Sequence, residues 1–188
     1  MPYYPCTLRG LPRARGLAKV HLHVAHCLKQ ALELLHSTGL CHCDVKPENV
    51  FLTMSGDAVL GDFGSVVPPN QRAYTTLRYV PVEVPFTNVV PPTNKKDLKY
   101  PASVAFDFAL LASTLADVLG LHPPAAAFPT SPPTAYPPFS LYQDCPSTDN
   151  TELDTFMQNL IGGLRGHYGR VQSPAGEGAT PSSGGATV

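Results

Sequence analysis

The chain has no tryptophan, few charged residues and almost no net charge. Among its 188 residues, Asp, Glu, Lys and Arg together make up 14%, and the formal net charge at pH 7 is −1. This balance gives no electrostatic basis for binding nucleic acid or an anionic membrane surface. The chain also lacks an apolar run near the roughly 20 residues that cross a bilayer, and its N-terminus lacks the pattern of a secretory signal.

Cysteine is present without forming a framework. The five cysteines are odd in number and irregularly spaced: Cys6, Cys27, Cys41, Cys43 and Cys145. We therefore expect free thiols in a reducing intracellular compartment, with the cytoplasm as the first choice and the nucleus as the second.

Apolar residues make up 43% of the chain, which is enough for one core, and their spacing predicts helices. Apolar positions recur every three or four residues over 17–36, 105–119 and 152–164, as expected when one helical face is buried. Gly39 is placed to end the first helix in a left-handed conformation. The second helix is apolar nearly all round, so it should lie in the middle of the domain.

Two short apolar runs, 50–52 and 58–60, flank Ser-Gly-Asp and predict a small β-hairpin. The 21 prolines are concentrated between positions 67 and 146 and predict long irregular connections, the longest over 65–103. The tail after Val171 contains no large apolar residue and should be disordered.

Residues 42–64 carry the most specific signal. Positions 42–49 read His-Cys-Asp-Val-Lys-Pro-Glu-Asn, and Asp62-Phe63-Gly64 begins 18 residues after Asp44. Two acids, a lysine and an amide at these spacings are the groups needed to hold Mg²⁺ and activate a hydroxyl beside a nucleotide phosphate. Either motif alone is common, but both in this order, with the hairpin between them, are hard to obtain by chance.

This segment resembles the catalytic loop and metal-binding turn of eukaryotic-type protein kinases, and Lys46 with Pro47 is most similar to the serine/threonine-specific ones. The resemblance implies a mainly α (α+β) fold, the kinase C-terminal lobe, over residues 1–171, with a disordered tail at 172–188. Met1 to Tyr4 resembles the hinge between the two lobes. The N-terminal lobe is expected to be missing, so the isolated chain should be weakly active or inactive.

The resemblance implies ATP and Mg²⁺ as cofactors. Asp44 would be the catalytic base or positioning group for a protein Ser/Thr hydroxyl, and Lys46 would steady the transferred phosphoryl group. Asn49 and Asp62 would ligate Mg²⁺, and Gly64 would permit the turn that aims Asp62 inward.

Further residues would have structural roles by the same resemblance. Thr76 would contact Asp44 and Lys46 and help to select Ser/Thr hydroxyls. Asp107 would hold the catalytic-loop backbone and His42, and Glu83 would pair with Arg170 or, as second choice, Arg165. Cys43 stands where the family usually has an arginine that binds a phosphorylated activation loop. We therefore expect activity that does not depend on a phosphate at Thr75 or Thr76.

Two other functions remain open at this stage. One is a non-catalytic kinase-like module that regulates a protein partner, and the other is a small-molecule phosphotransferase, against which the Asp62-Phe63-Gly64 turn argues. A zinc site is the chemical alternative, because His21, His23, His26 and Cys27 lie close in sequence. Cys41 and Cys43 are the other candidate zinc ligands, and they would point apart on an extended backbone. This disfavours a zinc site.

Overall fold

The computed structural model describes residues 4–12, 15–85, 99–121, 139–143 and 147–172. Within these ranges, helices α1 (Ala18–Ser37), α2 (Val104–Val118) and α3 (Thr151–Gln172) pack together, and a small antiparallel sheet lies against α1. The predicted mainly helical class, with a hairpin beside the loop 42–49, is confirmed. No helix in the described part of the chain has both the length and the apolar character needed to span a bilayer.

Helix α1 forms because its apolar residues fall on one face. Val24, Leu28 and Leu32 on this face are fully buried, and burial of each such side chain contributes about 1.5–3 kcal/mol. The helix ends where predicted, because Gly39 adopts a φ of 77° and its amide donates to the carbonyl of His36 at 2.9 Å. A side chain at this position would be strained in the same conformation.

The hairpin follows the loop 42–49 directly. Strands β2 (Val50–Leu52) and β3 (Ala58–Leu60) pair antiparallel with Val50 opposite Leu60, as predicted, and β1 (Cys6–Thr7) adds a third strand beside β2. Because Val50 faces Leu60, the residue that precedes β2 and the residues that follow β3 emerge at the same end of the hairpin. This register brings Asn49 close to Gly61 and Asp62.

Helix α2 occupies the middle of the described structure and contacts both α1 and α3. All of its residues from Ala109 to Val118 are buried, as the sequence predicts for a helix that is apolar nearly all round. Ser103 caps its N-terminus by accepting a hydrogen bond from the amide of Phe106 at 3.0 Å. The helix therefore provides the frame against which the loop regions pack.

Helix α3 is longer than predicted. The sequence indicated an end near Leu164, but the helix continues to Gln172, and its buried face includes Tyr168. Glycines at 162, 163, 166 and 169 each cost about 1 kcal/mol in a helix interior. Burial of the apolar face outweighs this cost. The buried positions are Leu153, Met157, Ile161, Leu164 and Tyr168.

The long connection over 65–103 is partly ordered into elements that the sequence did not indicate. Strands β4 (Arg72–Ala73) and β5 (Tyr100–Pro101) pair antiparallel, and a 3₁₀ turn covers Leu77–Tyr79. Most of the proposed hinge and the tail after Gln172 fall outside the described residues. Those two predictions therefore stay predictions.

Candidate active site

The backbone of the loop 42–49 is held by one buried carboxylate. Asp107, on the first turn of α2, is fully buried and accepts hydrogen bonds from the amides of His42 and Cys43, each at 2.7 Å. Hydrogen bonds to an ionised acceptor are stronger than those between neutral groups. Asp107 therefore fixes the loop just before Asp44.

Cys43 has a backbone conformation that is rare for a residue with a side chain. Its φ is 65°, in the left-handed region, which costs about 1–2 kcal/mol for a non-glycine residue. Its side chain is fully buried, and burial raises the pKa of the thiol far above its ordinary value, so the thiol stays neutral. The hydrogen bond from its amide to Asp107 holds this bend immediately before Asp44.

Asp44 lies at the centre of a cluster of donors. Lys46 Nζ donates to Asp44 Oδ2 at 2.6 Å, and Thr76 donates to Asp44 Oδ1 through its amide at 2.9 Å and through Oγ1 at 2.8 Å. Lys46 Nζ also donates to Thr76 Oγ1 at 2.9 Å. Burial by itself would raise the pKa of Asp44, but the hydrogen bonds from Lys46 and Thr76 outweigh burial and hold the pKa below its ordinary value. The carboxylate is therefore ionised at neutral pH.

Asn49 is oriented by Asp44. Its Nδ2 donates to the Asp44 carbonyl at 2.9 Å and to Asp44 Oδ2 at 3.2 Å. Because both of these contacts use the amide nitrogen, Oδ1 is the side-chain atom that could ligate a cation. Pro47 begins the 3₁₀ turn that carries Asn49, and the Asn49 carbonyl accepts from the Gly61 amide at 2.8 Å.

Asp62 stands at the same end of the hairpin, with an exposed side chain. It has a φ of 58° and a ψ of 74°, and its Oδ1 accepts from the amide of Gly64 at 3.3 Å. The left-handed residue of this turn is therefore Asp62 and not Gly64. A methyl group added at Gly64 would lie 3.2 Å from Asp62 Oδ1, so the glycine leaves room for the carboxylate.

His42 links the loop to this turn. Its Nε2 lies 3.0 Å from the Gly61 carbonyl, and its Nδ1 lies 3.3 Å from the Asp44 amide. A carbonyl can only accept and an amide can only donate, so Nε2 carries the proton and Nδ1 is the acceptor. Burial is the main cause that lowers the pKa of His42, in agreement with this neutral form.

Glu83 is buried, and residues 140 and 141 donate hydrogen bonds to its carboxylate. Its carboxylate accepts from Ser140 Oγ and from the Leu141 amide, the latter at 3.0 Å. Arg165, the second choice for its partner, donates through Nε to the carbonyl of Leu141. The side chain of Arg170 lies outside the described residues, so the pairing of Glu83 with Arg170 stays a prediction.

Two sets of hydrogen bonds to buried carboxylates were not anticipated from the sequence. His36, near the end of α1, has its Nε2 2.8 Å from Asp107 Oδ2 and is a third donor to that carboxylate. Asp117 near the end of α2 is 1% exposed, and it accepts from Arg9, Arg78 and Tyr79 at 2.9–3.1 Å. The signal for both was an acid on an otherwise apolar helix, because a buried carboxylate requires compensating donors.

Comparison with known proteins finds similarity to protein kinases. A family model of the protein kinase domain matches residues 17–89. Eukaryotic translation initiation factor 2-alpha kinase 3 of Bos taurus is 41% identical over 66 residues, which are 35% of this chain and 6% of the relative. 3-phosphoinositide-dependent protein kinase 1 of Arabidopsis thaliana is 51% identical over 47 residues, 25% of this chain and 10% of the relative.

Aurora kinase B of Drosophila melanogaster is 37% identical over 81 residues, which are 41% of this chain and 25% of the relative. The similarity to these three relatives thus spans between 6% and 25% of their own length. The matched region includes the loop 42–49, the turn 62–64 and Thr76. Over residues 17–89 the chain is similar to the protein kinase domain.

Proposed function

We propose that the chain forms the catalytic floor of a protein serine/threonine kinase, which transfers the γ-phosphate of ATP to Ser or Thr hydroxyls of a protein. The observation that carries the proposal is the contact of Asp44 with Lys46, Thr76 and Asn49, all within 3.2 Å. Phosphoryl transfer depends on positioning and charge neutralisation more than on covalent catalysis. This cluster supplies an ionised acceptor, Asp44, beside the ammonium group of Lys46.

In this proposal Asp44 accepts the proton of the substrate hydroxyl or orients that hydroxyl. Its low pKa keeps it ionised, and its two oxygens are already held by Lys46 and Thr76. A substrate hydroxyl would therefore enter by replacing one of these donors. Lys46 is the mobile group of the two, since it can turn its ammonium toward the transferred phosphoryl group while Thr76 stays fixed through its backbone amide.

The donor set fits Mg²⁺, which prefers oxygen ligands and commonly takes one or two carboxylates together with substrate phosphates. Asn49 offers Oδ1, because its side-chain nitrogen is hydrogen-bonded to Asp44. Asp62 offers an exposed carboxylate at the same end of the hairpin. When bound, the cation would neutralise phosphate charge. The roles of Asn49 and Asp62 are then to hold and orient it.

Preference for Ser and Thr over Tyr would come from Thr76 and Lys46. Their direct contact, at 2.9 Å, closes the space beside Asp44 on the side of residues 76–79. A short aliphatic hydroxyl reaches Asp44 from the remaining side, whereas a tyrosine ring needs more room. The serine/threonine kinases among the similar proteins, such as the US3 homolog of Bovine herpesvirus 1.2, support this preference.

The test combines binding and transfer. The purified chain is titrated with Mn²⁺ and ATP while electron paramagnetic resonance follows free Mn²⁺, and transfer of labelled phosphate from ATP to a generic basic protein is measured in parallel. We expect Asp62→Asn to weaken nucleotide-dependent Mn²⁺ binding. Asp44→Asn should leave that binding in place and lower transfer by about 10²–10⁴-fold. Asp149→Asn, at an exposed position remote from the cluster, is the matched control.

The same assay separates the alternatives. Transfer to an aminoglycoside or choline in place of the basic protein would indicate a small-molecule phosphotransferase. A folded chain that does not bind Mn²⁺ in the presence of ATP would contradict the proposal and favour a non-catalytic kinase-like module with a regulatory protein partner. Absence of transfer alone would not, because the isolated chain is expected to be weakly active or inactive. Transfer that is equal in wild type and Asp44→Asn would show that a contaminant is responsible.

Regulation by activation-loop phosphate is not expected. Cys43 is fully buried and neutral, so it offers no charge to bind a phosphate. A phosphate on Thr76 would also replace the hydroxyl that donates to Asp44 with a second negative group. Thr76→Glu should therefore lower transfer, and a strong increase in the Thr75→Glu or Thr76→Glu variant would contradict this expectation.

A further inference from the structure

A second group of metal-ligand side chains lies away from the cluster around Asp44. His23 and Cys27 are one turn apart on the same face of α1, and Asp57 reaches them from the residue before β3. His23 Nε2 lies 2.9 Å from Asp57 Oδ1 and 3.6 Å from Cys27 Sγ. One ligand atom of each residue lies within 4.8 Å of the other two.

We propose that His23, Cys27 and Asp57 form a binding site for a zinc-like divalent cation, with water in the fourth position. The sequence could not indicate this set, because Asp57 is 30 residues from Cys27. The neighbouring histidines do not belong to it. His21 is fully buried on the core side of α1, and His26 packs against the ring of Phe156 at 5.1 Å between centroids.

One of the two observed separations already matches tetrahedral zinc, and the other is shorter by roughly 0.5 Å. Zinc bond lengths to sulfur, nitrogen and oxygen predict separations of about 3.6 Å between sulfur and nitrogen and about 3.4 Å between nitrogen and oxygen. The observed separation of Cys27 Sγ from His23 Nε2 is 3.6 Å. The pair His23 and Asp57 must open from 2.9 Å by roughly 0.5 Å, which a rotation of two half-exposed side chains can supply.

The chemistry of the three donors selects the class of cation. A thiolate and an imidazole disfavour Mg²⁺ and Ca²⁺, which take oxygen ligands, and favour Zn²⁺ or its analogue Co²⁺. His23 and Asp57 side chains are each 54% exposed, so a cation and a water ligand can reach the site from solvent. Binding releases the proton of the Cys27 thiol to solvent, and the Nε2 proton that His23 donates to Asp57 is released or moves to Nδ1, so that Nε2 can ligate the cation.

A second layer of contacts holds the carboxylate. Ser55 Oγ donates to Asp57 Oδ2 at 2.8 Å, and the Asp57 amide donates to Thr53 Oγ1 at 3.0 Å. Outer contacts of this kind orient metal ligands. The bound cation would tie α1 to the hairpin whose other end carries Asn49 and Asp62.

The experiment uses the full chain, reduced and cleared of metal, titrated with Co²⁺. We expect one equivalent to produce the visible bands of four-coordinate Co²⁺ together with a near-ultraviolet thiolate-to-cobalt band, and Zn²⁺ to displace both. Cys27→Ser should remove the thiolate band, and His23→Ala or Asp57→Asn should abolish stoichiometric binding. Ser55→Ala should weaken binding by about 10–100-fold. Cys6→Ser, which removes an exposed thiol elsewhere, should change nothing.

The urea unfolding midpoint of each metal-free variant distinguishes a variant that is unfolded from one that only lacks a metal ligand. This midpoint should stay at the wild-type value, because the three side chains are partly or largely exposed. The proposal is overturned if the reduced chain takes up no Co²⁺, or if only six-coordinate Co²⁺ without a thiolate band appears. A thiolate band that survives in Cys27→Ser and disappears in Cys6→Ser would overturn it as well.

Discussion

Replacement of Asp107 by Asn tests whether this carboxylate holds the catalytic loop. Asp107 Oδ1 accepts from the Cys43 amide, and Oδ2 accepts from the His42 amide and the His36 ring. An asparagine has nearly the same shape but only one accepting atom. The amide oxygen should take the Oδ2 position, where it keeps two contacts, and its nitrogen would then face the Cys43 amide, donor against donor.

The cost follows from this arrangement. One buried N–H loses its acceptor, which costs about 1–3 kcal/mol, and the two surviving hydrogen bonds lose their ionic character, at about 0.5–1 kcal/mol each as the difference between charged and neutral bonds. We expect the free energy of unfolding to fall by about 2–5 kcal/mol. Since domains are stable by about 5–15 kcal/mol, the Asp107→Asn chain should still fold.

Urea unfolding followed by far-ultraviolet circular dichroism measures this loss. Asp149→Asn makes the same chemical change at an exposed position and should alter the unfolding free energy by less than about 0.5 kcal/mol. Amide hydrogen exchange then locates the effect. The Cys43 amide should lose more protection than the His42 amide. If Asp107→Asn matches the control, or if both amides keep their protection, the assigned role of Asp107 is wrong.

Three further predictions concern packing and protonation. Gly61→Ala should cost about 1–3 kcal/mol, because its new Cβ would lie 2.6 Å from Phe51 Cε2, and Phe51→Leu should reduce that cost in a double-mutant cycle; full additivity would contradict the clash. Because burial lowers the pKa of His42, folding favours its neutral form, so stability is complete above pH about 6.5 and is lost as pH falls below that value. A nuclear magnetic resonance titration of the His42 ring with a midpoint at or above 6.5 would contradict this. Leu28→Ala, in the core, should cost about 2–5 kcal/mol, whereas Leu34→Ala, 71% exposed on the same helix, should cost less than about 0.5 kcal/mol in the same unfolding experiment.

The cluster around Asp44 could be anticipated because short-range geometry creates most of it. Asp44, Lys46 and Asn49 lie within six residues of one another in the sequence. The hairpin that follows has two strands of three residues each, so the chain returns to the end of the hairpin where Asn49 lies, and Asp62 comes directly after it. Spacing along the chain is then nearly equivalent to spacing in space. The conformation of Asp62 was not anticipated, because a glycine two residues later was the obvious candidate for the left-handed position.

Length and long-range pairing could not be predicted with the same ease. The end of α3 was placed too early, because the predicted buried face stopped at Leu164 and did not include Tyr168. Strands β4 and β5 contain two residues each, too few for a period to be visible. His23 and Cys27 were visible as neighbours on a helix, but Asp57 approaches them only after the hairpin has packed on α1. In each case the deciding contact joins distant parts of the chain.

Helix α2 shows that some long-range contacts can still be predicted from the sequence. It carries only two charged residues, Asp107 and Asp117, on an otherwise apolar sequence. Neither carboxylate can be buried without donors, and a helix has no spare backbone donors in its interior. Segments far away in sequence must therefore come to each acid. At Asp107 these are the catalytic loop and the end of α1, and at Asp117 they are Arg9 and the turn Leu77–Tyr79. An isolated acid on a buried helix thus marks where a loop is anchored, although it does not identify which loop.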